Sequence, residues 1–284
     1  MMFTKATKEK LKARIALMGP PGSGKTMSAL EIAQGLGNRI AVIDTEHASA
    51  SLYADLYDFD CCPISNFHPN NYIKAIKAAD EAGYDVLIID SLSHAWAGEG
   101  GVMDVVDNSR NKNKYASWAE GTKLQNQLVN AMLSCSAHLI VTMRTKMAYE
   151  QQVGSDGKKS VVKLGMAPVQ RDGVEYEFTI VADIDTDHRL TVTKSRYSEL
   201  QDVTLDKATP EFGQRILAWL DQGETPIKIL KSKLFDEYDR DEKLLTKDAM
   251  EVYNCSPSEL TRDQIVDLTE RQNQAKINQS NGQQ

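Results

Sequence analysis

An α/β fold with a mainly parallel sheet, helices on both faces and an antiparallel hairpin along one edge is predicted by three features of the sequence. Short apolar runs alternate with helical patterns up to about residue 145, as expected of parallel strands joined by crossover helices. The first of these runs, Ile15 to Met18, leads straight into the glycine loop Gly19-Pro20-Pro21-Gly22-Ser23-Gly24-Lys25-Thr26. From residue 148 to 195 the pattern turns β-rich, with turn residues at Gly154-Ser155-Asp156-Gly157 and Thr186-Asp187-His188, as antiparallel hairpins require.

Element by element, strands are predicted over residues 15–18, 40–44, 86–90 and 138–143, with helices near 25–36, 70–82 and 116–136. Two further strands, 176–184 and 189–193, make the hairpin edge. After Gly223-Glu224-Thr225-Pro226 the composition shifts to charged helical segments over 227–239, 246–253 and 262–275. The predicted division is a core over 1–223, a helical C-terminal module over 224–275 and a disordered polar tail over 276–284. Apolar positions at Ile227, Ile229, Leu230 and Leu234, and at Ile265, Val266 and Leu268, fit either a docking module or a helical cap with its own core.

Composition narrows the function classes. A net charge of -7 over 284 residues leaves no global basic footprint, so any nucleic-acid contact has to come from local loops. Cys61, Cys62, Cys135 and Cys255 have no C-x-x-C spacing, which suggests reduced thiols in a cytosolic setting rather than disulfides or a zinc site. No stretch approaches the ~18 apolar residues that span a bilayer, and the basic N-terminus lacks an apolar run. Asp183, Asp185 and Asp187 resemble the start of a calcium loop, but His188 and Lys194 stand where that loop needs glycine and glutamate, so a hairpin turn is predicted.

The glycine loop matches G-x-x-x-x-G-K-[ST], the P-loop, in the strand–loop–helix context that the motif needs. Gly22 and Gly24 let the backbone approach phosphates and turn N–H groups toward them, and the following helix offers its positive end to the same anion. Lys25 is placed for the β- and γ-phosphates and Thr26 for Mg²⁺, so ATP with Mg²⁺ is the expected ligand, cradled by Gly19, Pro20, Pro21, Gly22, Ser23, Gly24, Lys25 and Thr26. The run Tyr84-Asp85-Val86-Leu87-Ile88-Ile89-Asp90-Ser91 ends a buried strand in a carboxylate, the Walker B pattern, which makes Asp90 the second metal-directed residue.

The segment Ile40-Ala41-Val42-Ile43-Asp44-Thr45-Glu46-His47-Ala48 closely resembles the stretch that follows the P-loop helix in RecA-type recombinases. That resemblance implies that Glu46 activates or orients the attacking water. Taken alone, Glu46 also fits an N-terminal helix charge, and Asp44 and His47 fit structural neighbours. Thr193-Lys194-Ser195-Arg196-Tyr197 is similar to the K-x-R strand end of RecA-core ring and filament ATPases, where both cations reach a neighbouring subunit's γ-phosphate. Alternate residues of a strand share a face, so Lys194 and Arg196 can act together; two basic residues also suit an ordinary solvated edge. RecA-type recombinases carry a glutamine at the end of the strand after Walker B. This chain reads His138 to Lys146 without one, so Thr142 and Arg144 are the candidates to take its place at the nucleotide.

Together these motifs, with the run from Lys163 to Phe178, resemble the phage-encoded RecA-core ATPases grouped with single-strand annealing proteins, often described as AAA-type ATP-binding proteins. The resemblance covers about residues 10 to 200. It implies a RecA-like core hydrolysing ATP in the cytoplasm of a phage-infected bacterium, acting on single-stranded DNA in recombination or annealing. The implied partners are further copies in a ring or filament, and single-strand-binding or other replication and recombination proteins. RecA-like proteins bind DNA through two loops, here residues 98–118 with Arg110, Lys112 and Lys114, and 147–171 with Lys158, Lys159 and Lys163. Cations beside Tyr115 and Trp118 suit phosphate neutralisation and base stacking, although loop lysines are commonly just solvated. The competing reading is a nucleotide-gated scaffold or a helicase or recombinase loader with little turnover.

Overall fold

The computed structural model describes residues 8–110, 113–153 and 159–281. The first half alternates strand and helix: β1 (Arg14–Gly19), α1 (Lys25–Leu36), β2 (Ile40–Asp44), β3 (Asp60–Pro63), α2 (Pro69–Ala82), β4 (Val86–Asp90), α3 (Ser93–Ala97), α4 (Val102–Asp107) and α5 (Lys114–Ser134). Then come β5 (His138–Val153), β6 (Lys159–Pro168), β7 (Ile180–Ile184), β8 (Leu190–Ser195), β9 (Thr204–Leu205) and α6 (Pro210–Asp221). Among the described residues nine strands form one sheet in the order β3-β2-β4-β5-β1-β7-β8-β9, with β6 paired to the outer part of β5. The run from β3 to β7 is parallel, whereas β6, β8 and β9 pair antiparallel.

Packing explains these elements. Every residue of β2 and β4 is buried, as near-continuous apolar strands covered on both faces must be. One face is filled by α1 and α6, with Leu30, Ile32, Phe212 and Ile216 against Ile15 and Leu17. A Cβ on Gly213 would sit 2.3 Å from the Ile32 carbonyl oxygen, so glycine is what lets α6 lie against α1. The other face carries α2 and α5, with Tyr72, Ile76, Leu128 and Met132 over Leu87 and Leu139. The buried Arg14 guanidinium gathers carbonyls at the end of α5, from Leu133 (3.1 Å), Cys135 and Ala137 (2.8 Å). These are acceptors that a helix C-terminus leaves unpaired.

The alternating core and hairpin edge follow the sequence pattern, and the departures have local causes. β5 does not end at residue 143 but runs unbroken to Val153, because its outer half finds a new partner in β6. β7 starts only at Ile180, since Val174–Glu177 forms a 3₁₀ turn. β3 has no counterpart among the predicted elements: all four of its residues are exposed at the sheet edge, so no apolar alternation marks it. The first expected loop, 98–118, is partly helical, containing α4 and the start of α5.

Residues 8–11 and 221–281 form a second compact unit. It contains α7 (Ile227–Glu237), α8 (Glu242–Tyr253) and α9 (Arg262–Asn281) around Leu234, Tyr238, Leu245, Ala249, Leu260, Ile265 and Leu268. Residues 8–11 join it through Lys10 N–H to Glu224 O and Glu224 N–H to Lys8 O, both 2.7 Å. Asp241 caps α8 by accepting from Lys243 and Leu244 N–H, and Asn254 ends it in a left-handed conformation. Residues 276–281, expected to be disordered, instead continue α9. A helix already nucleated by its packed first turns extends through polar residues at little cost where no glycine or proline intervenes. Residues 282–284 lie outside the described residues.

Candidate nucleotide site

Parallel register brings the ends of β1, β2, β4 and β5 to one edge: Gly19 pairs with Arg144, and Asp44 with Asp90. Gly22 and Gly24 adopt φ of 76° and 86°, left-handed values that glycine takes without strain. A Cβ on Gly22 would meet nothing within 4 Å, so this part of the loop faces open space. Lys25 Nζ donates to the Gly19 (3.1 Å) and Pro20 (2.8 Å) carbonyls, folded back on its own loop. Burial pulls the Lys25 ammonium below its usual range, against the opposing charges of Asp90 and Glu46.

Asp90 is almost fully buried and accepts from Thr26 Oγ1 at 2.6 Å and from Thr142 Oγ1. Burial drives its pKa up, while the two hydroxyls work in the opposite direction. A hydroxyl and a carboxylate side by side at the mouth of a phosphate loop suit Mg²⁺, a hard cation bound by one or two protein oxygens and otherwise by water and phosphate. Among the described residues no group of three or more His, Cys, Asp or Glu is placed to hold a metal ion.

Glu46 follows β2 in a turn organised by Asp44, whose carboxylate accepts from Glu46 N–H (2.7 Å) and Ala50 N–H (3.2 Å). Asp44 is therefore a buried turn-former, while His47, exposed with φ 56°, lies outside this network. Arg144 forks onto Glu46, with Nε 2.9 Å from Oε1 and Nη2 on Oε2. Burial pushes the Glu46 carboxyl up, but Arg144, with help from His94 and Ser91, outweighs it and holds the group below the ordinary carboxylate range. His94 stacks on Phe67 at 4.6 Å, and its Nδ1 lies 2.8 Å from Thr45 Oγ1. Thr45 Oγ1 also accepts from Ser91 N–H (2.8 Å), which ties the segment after Asp90 to the turn bearing Glu46.

These groups open on a cavity of about 750 Å³ lined by Gly22, Gly24, Lys25, Thr26, Glu46, Asp90 and Arg144. Sequence reasoning missed further lining residues, among them Glu31, Tyr53, His188, Lys207 and Ala208. Glu31 accepts from Tyr57 at 2.6 Å. His188 sits at the β7–β8 turn with φ 67°, its Nδ1 3.1 Å from the Ser23 carbonyl oxygen. The turn itself is legible in the sequence, but no local signal tells that it folds over the phosphate loop.

Lys194 and Arg196 lie elsewhere. β8 runs antiparallel to β7, so Lys194 pairs with Val181, and Arg196 N–H bonds to Thr179 O, at the end of the sheet opposite the P-loop. Neither can reach phosphate held by its own chain. Lys194 Nζ donates to the carbonyls of Glu175, Tyr176 and Phe178, at 2.8 to 2.9 Å, whereas the Arg196 side chain is exposed. Of the loop cations, Arg110 and Lys114 are exposed; Lys114 lies on α5 one helical turn before Trp118, whose ring packs 6.4 Å from Trp96. Lys159 and Lys163 stand on β6 opposite Val153 and Tyr149; Lys112 and Lys158 lie outside the described residues. Among the described residues no helix is long and apolar enough to cross a membrane.

A parallel α/β sheet whose first strand–helix turn is a P-loop, faced by a Walker B aspartate, defines a P-loop NTPase. Residues 11–216 match the profile of the AAA domain family, and the chain belongs to that family of P-loop ATPases. No curated protein compared with it matches.

Proposed function

We propose that the chain is a Mg²⁺-dependent ATPase of RecA-like type that works on single-stranded DNA as an oligomer. The observation that carries this reading is the convergence of Lys25, Thr26, Asp90 and Glu46 on one cavity. A nucleotide switch without turnover needs the first three and has no use for the fourth. Lys25 and the loop N–H groups bind and orient the phosphates. Thr26 and Asp90 would hold Mg²⁺, which would supply charge neutralisation for the transferring phosphate. Glu46 accepts a proton from the attacking water, and the products are ADP and phosphate.

Oligomer formation rests on the resemblance of the Lys194–Arg196 strand end to trans-acting cations, and the exposed Arg196 side chain is the one available to a second copy. DNA contact is supported by the exposure of Arg110 and Lys114 in the same segment as exposed Tyr115 and Trp118. Recombination or annealing in phage-infected bacteria, with single-strand-binding or other replication proteins as partners, is the setting that the motif resemblance favours. The second reading, a nucleotide-gated scaffold or loader, draws on the Arg144 fork that occupies both Glu46 oxygens. Steady-state ATP hydrolysis with and without single-stranded DNA, with particle size followed in the same samples, separates them. Stimulation together with assembly supports the ATPase on DNA. Nucleotide binding by a monomer with no turnover supports the scaffold.

A further inference from the structure

β5 changes partners at one residue. Gly19↔Arg144 is the last rung with the core strand β1, and Thr145↔Pro168 is the first rung of the ribbon made with β6. Four further hydrogen bonds hold Arg144 at that junction. Its N–H donates to Ser93 Oγ at 2.9 Å, its carbonyl accepts from Val169 N–H at 2.7 Å, and its guanidinium forks onto Glu46. The returning strand is seated on the same segment: buried Gln170 donates to the Leu92 carbonyl at 3.1 Å and accepts from Gln125 at 3.1 Å. Both strands of the ribbon thus rest on the residues that follow Asp90.

Arg144 lines the same cavity as Lys25 and Glu46. A guanidinium stays charged at any working pH and fits carboxylate and phosphate with the same planar fork. While it occupies both oxygens of Glu46, that carboxylate has poor access to a water proton. A terminal phosphate in the cavity offers the fork a second, more highly charged partner.

We infer that Arg144 is a positioning residue that exchanges partners: it clasps Glu46 in the nucleotide-free chain and moves to the terminal phosphate of a bound triphosphate, which releases the carboxylate. The inference rests on the triphosphate reading of the cavity given above. Because Arg144 is the junction between core sheet and ribbon, displacement of the ribbon would act on the same clasp.

The test is a binding cycle on the full chain. A slowly hydrolysed ATP analogue and ADP, both with Mg²⁺, are titrated against the wild type, Glu46→Gln, Arg144→Ala and the double variant. Glu46→Gln frees the fork in advance and is expected to tighten the analogue by about five-fold, the scale of a partly exposed ion pair, with ADP little changed. In the Arg144→Ala background the same substitution is expected to give less than a two-fold gain. An equal gain in both backgrounds would mean relief of repulsion alone and overturns the clasp, as does no gain in either. Arg144→Lys keeps the charge and loses the fork, so it is expected to give an intermediate gain, and it replaces the alanine variant if thermal melting shows that variant unfolded. A wild-type chain that binds neither nucleotide sinks the reading of the cavity and the clasp with it. A chain that binds both and shows the coupling without turnover upholds the clasp and removes only the hydrolytic role of Glu46.

Discussion

The two ends of the sheet hold their charges differently. At the P-loop end the charged groups sit on partners that a ligand can replace: Lys25 on two carbonyls of its own loop, Glu46 on Arg144, Asp90 on two hydroxyls. At the opposite end the Lys194 ammonium holds three carbonyls around a 3₁₀ turn, and Arg196 presents an exposed side chain. The contrast separates groups arranged for exchange from a group arranged for structure. Lys194, held by three carbonyls around one turn with its ammonium 5.7 Å from the Tyr176 ring centroid and remote from the cavity, does for the fold what a cap does for a helix. The contrast also divides the K-x-R pair: in the single chain Arg196 is the side chain available to a neighbour, and Lys194 becomes available only if the turn at residues 174–177 rearranges.

The largest effect that can break this comparison is at Glu46. Glu46→Gln is expected to lower steady-state turnover by about 10²- to 10⁴-fold, the range of a general base, while nucleotide stays bound. Turnover within two-fold of wild type would move Glu46 into the structural class. Next, Lys25→Ala removes charge-assisted hydrogen bonds that form only with ligand, and should weaken nucleotide binding by about ten- to a hundred-fold with the melting temperature nearly unchanged. Titration calorimetry and thermal melting on the same samples read both halves of that statement.

At the far end the signs reverse. Lys194→Ala leaves three carbonyls to find new donors and should destabilise the chain by about 1 kcal/mol, after allowance for solvent screening. Arg196→Ala should stay within about 0.5 kcal/mol of wild type in denaturant unfolding and lower turnover only where the chain assembles. A stability loss at Arg196 and none at Lys194 would invert the assignment.

Asp90 gives the sharpest sign. Its pKa is raised by burial, so the folded chain favours its protonated form. That contribution is present in acid and is lost as pH rises from the unfolded value, about 4, through the higher folded one. Asp90→Asn is therefore expected to stabilise the nucleotide-free chain by about 1 kcal/mol at neutral pH, with the gain vanishing below pH 4, while Mg²⁺-dependent nucleotide binding weakens. Glu46 runs the opposite way. Its lowered pKa makes the Arg144 pair a source of stability at neutral pH that is lost as pH falls through the folded value, below the ordinary carboxylate range.

Much of this was legible in the chain itself. The P-loop is contiguous, so its strand, left-handed glycines and helix start follow from neighbouring residues alone, and Asp90 is marked by the end of a buried apolar run. Glu46 was singled out only through the resemblance of its segment to RecA-type recombinases. The pairings around them were not legible. Arg144 meets Glu46 across 98 residues, and His188 meets Ser23 across 165. β3 and the continuous course of β5 were likewise hidden, one because it is exposed throughout, the other because its outer half depends on β6.

By itself, then, the sequence determined the phosphate loop, the carboxylate at the end of β4, the parallel core and the hairpin edge, because glycine conformations, apolar periodicity and turn residues act within a few positions of the chain. Only the tertiary structure decided that Arg144 closes on Glu46, that His188 and Lys207 line the cavity, and that Lys194 serves a turn at the far end. Those outcomes depend on which strands lie side by side and in what register, and register is set by the packing of both sheet faces at once rather than by any single segment.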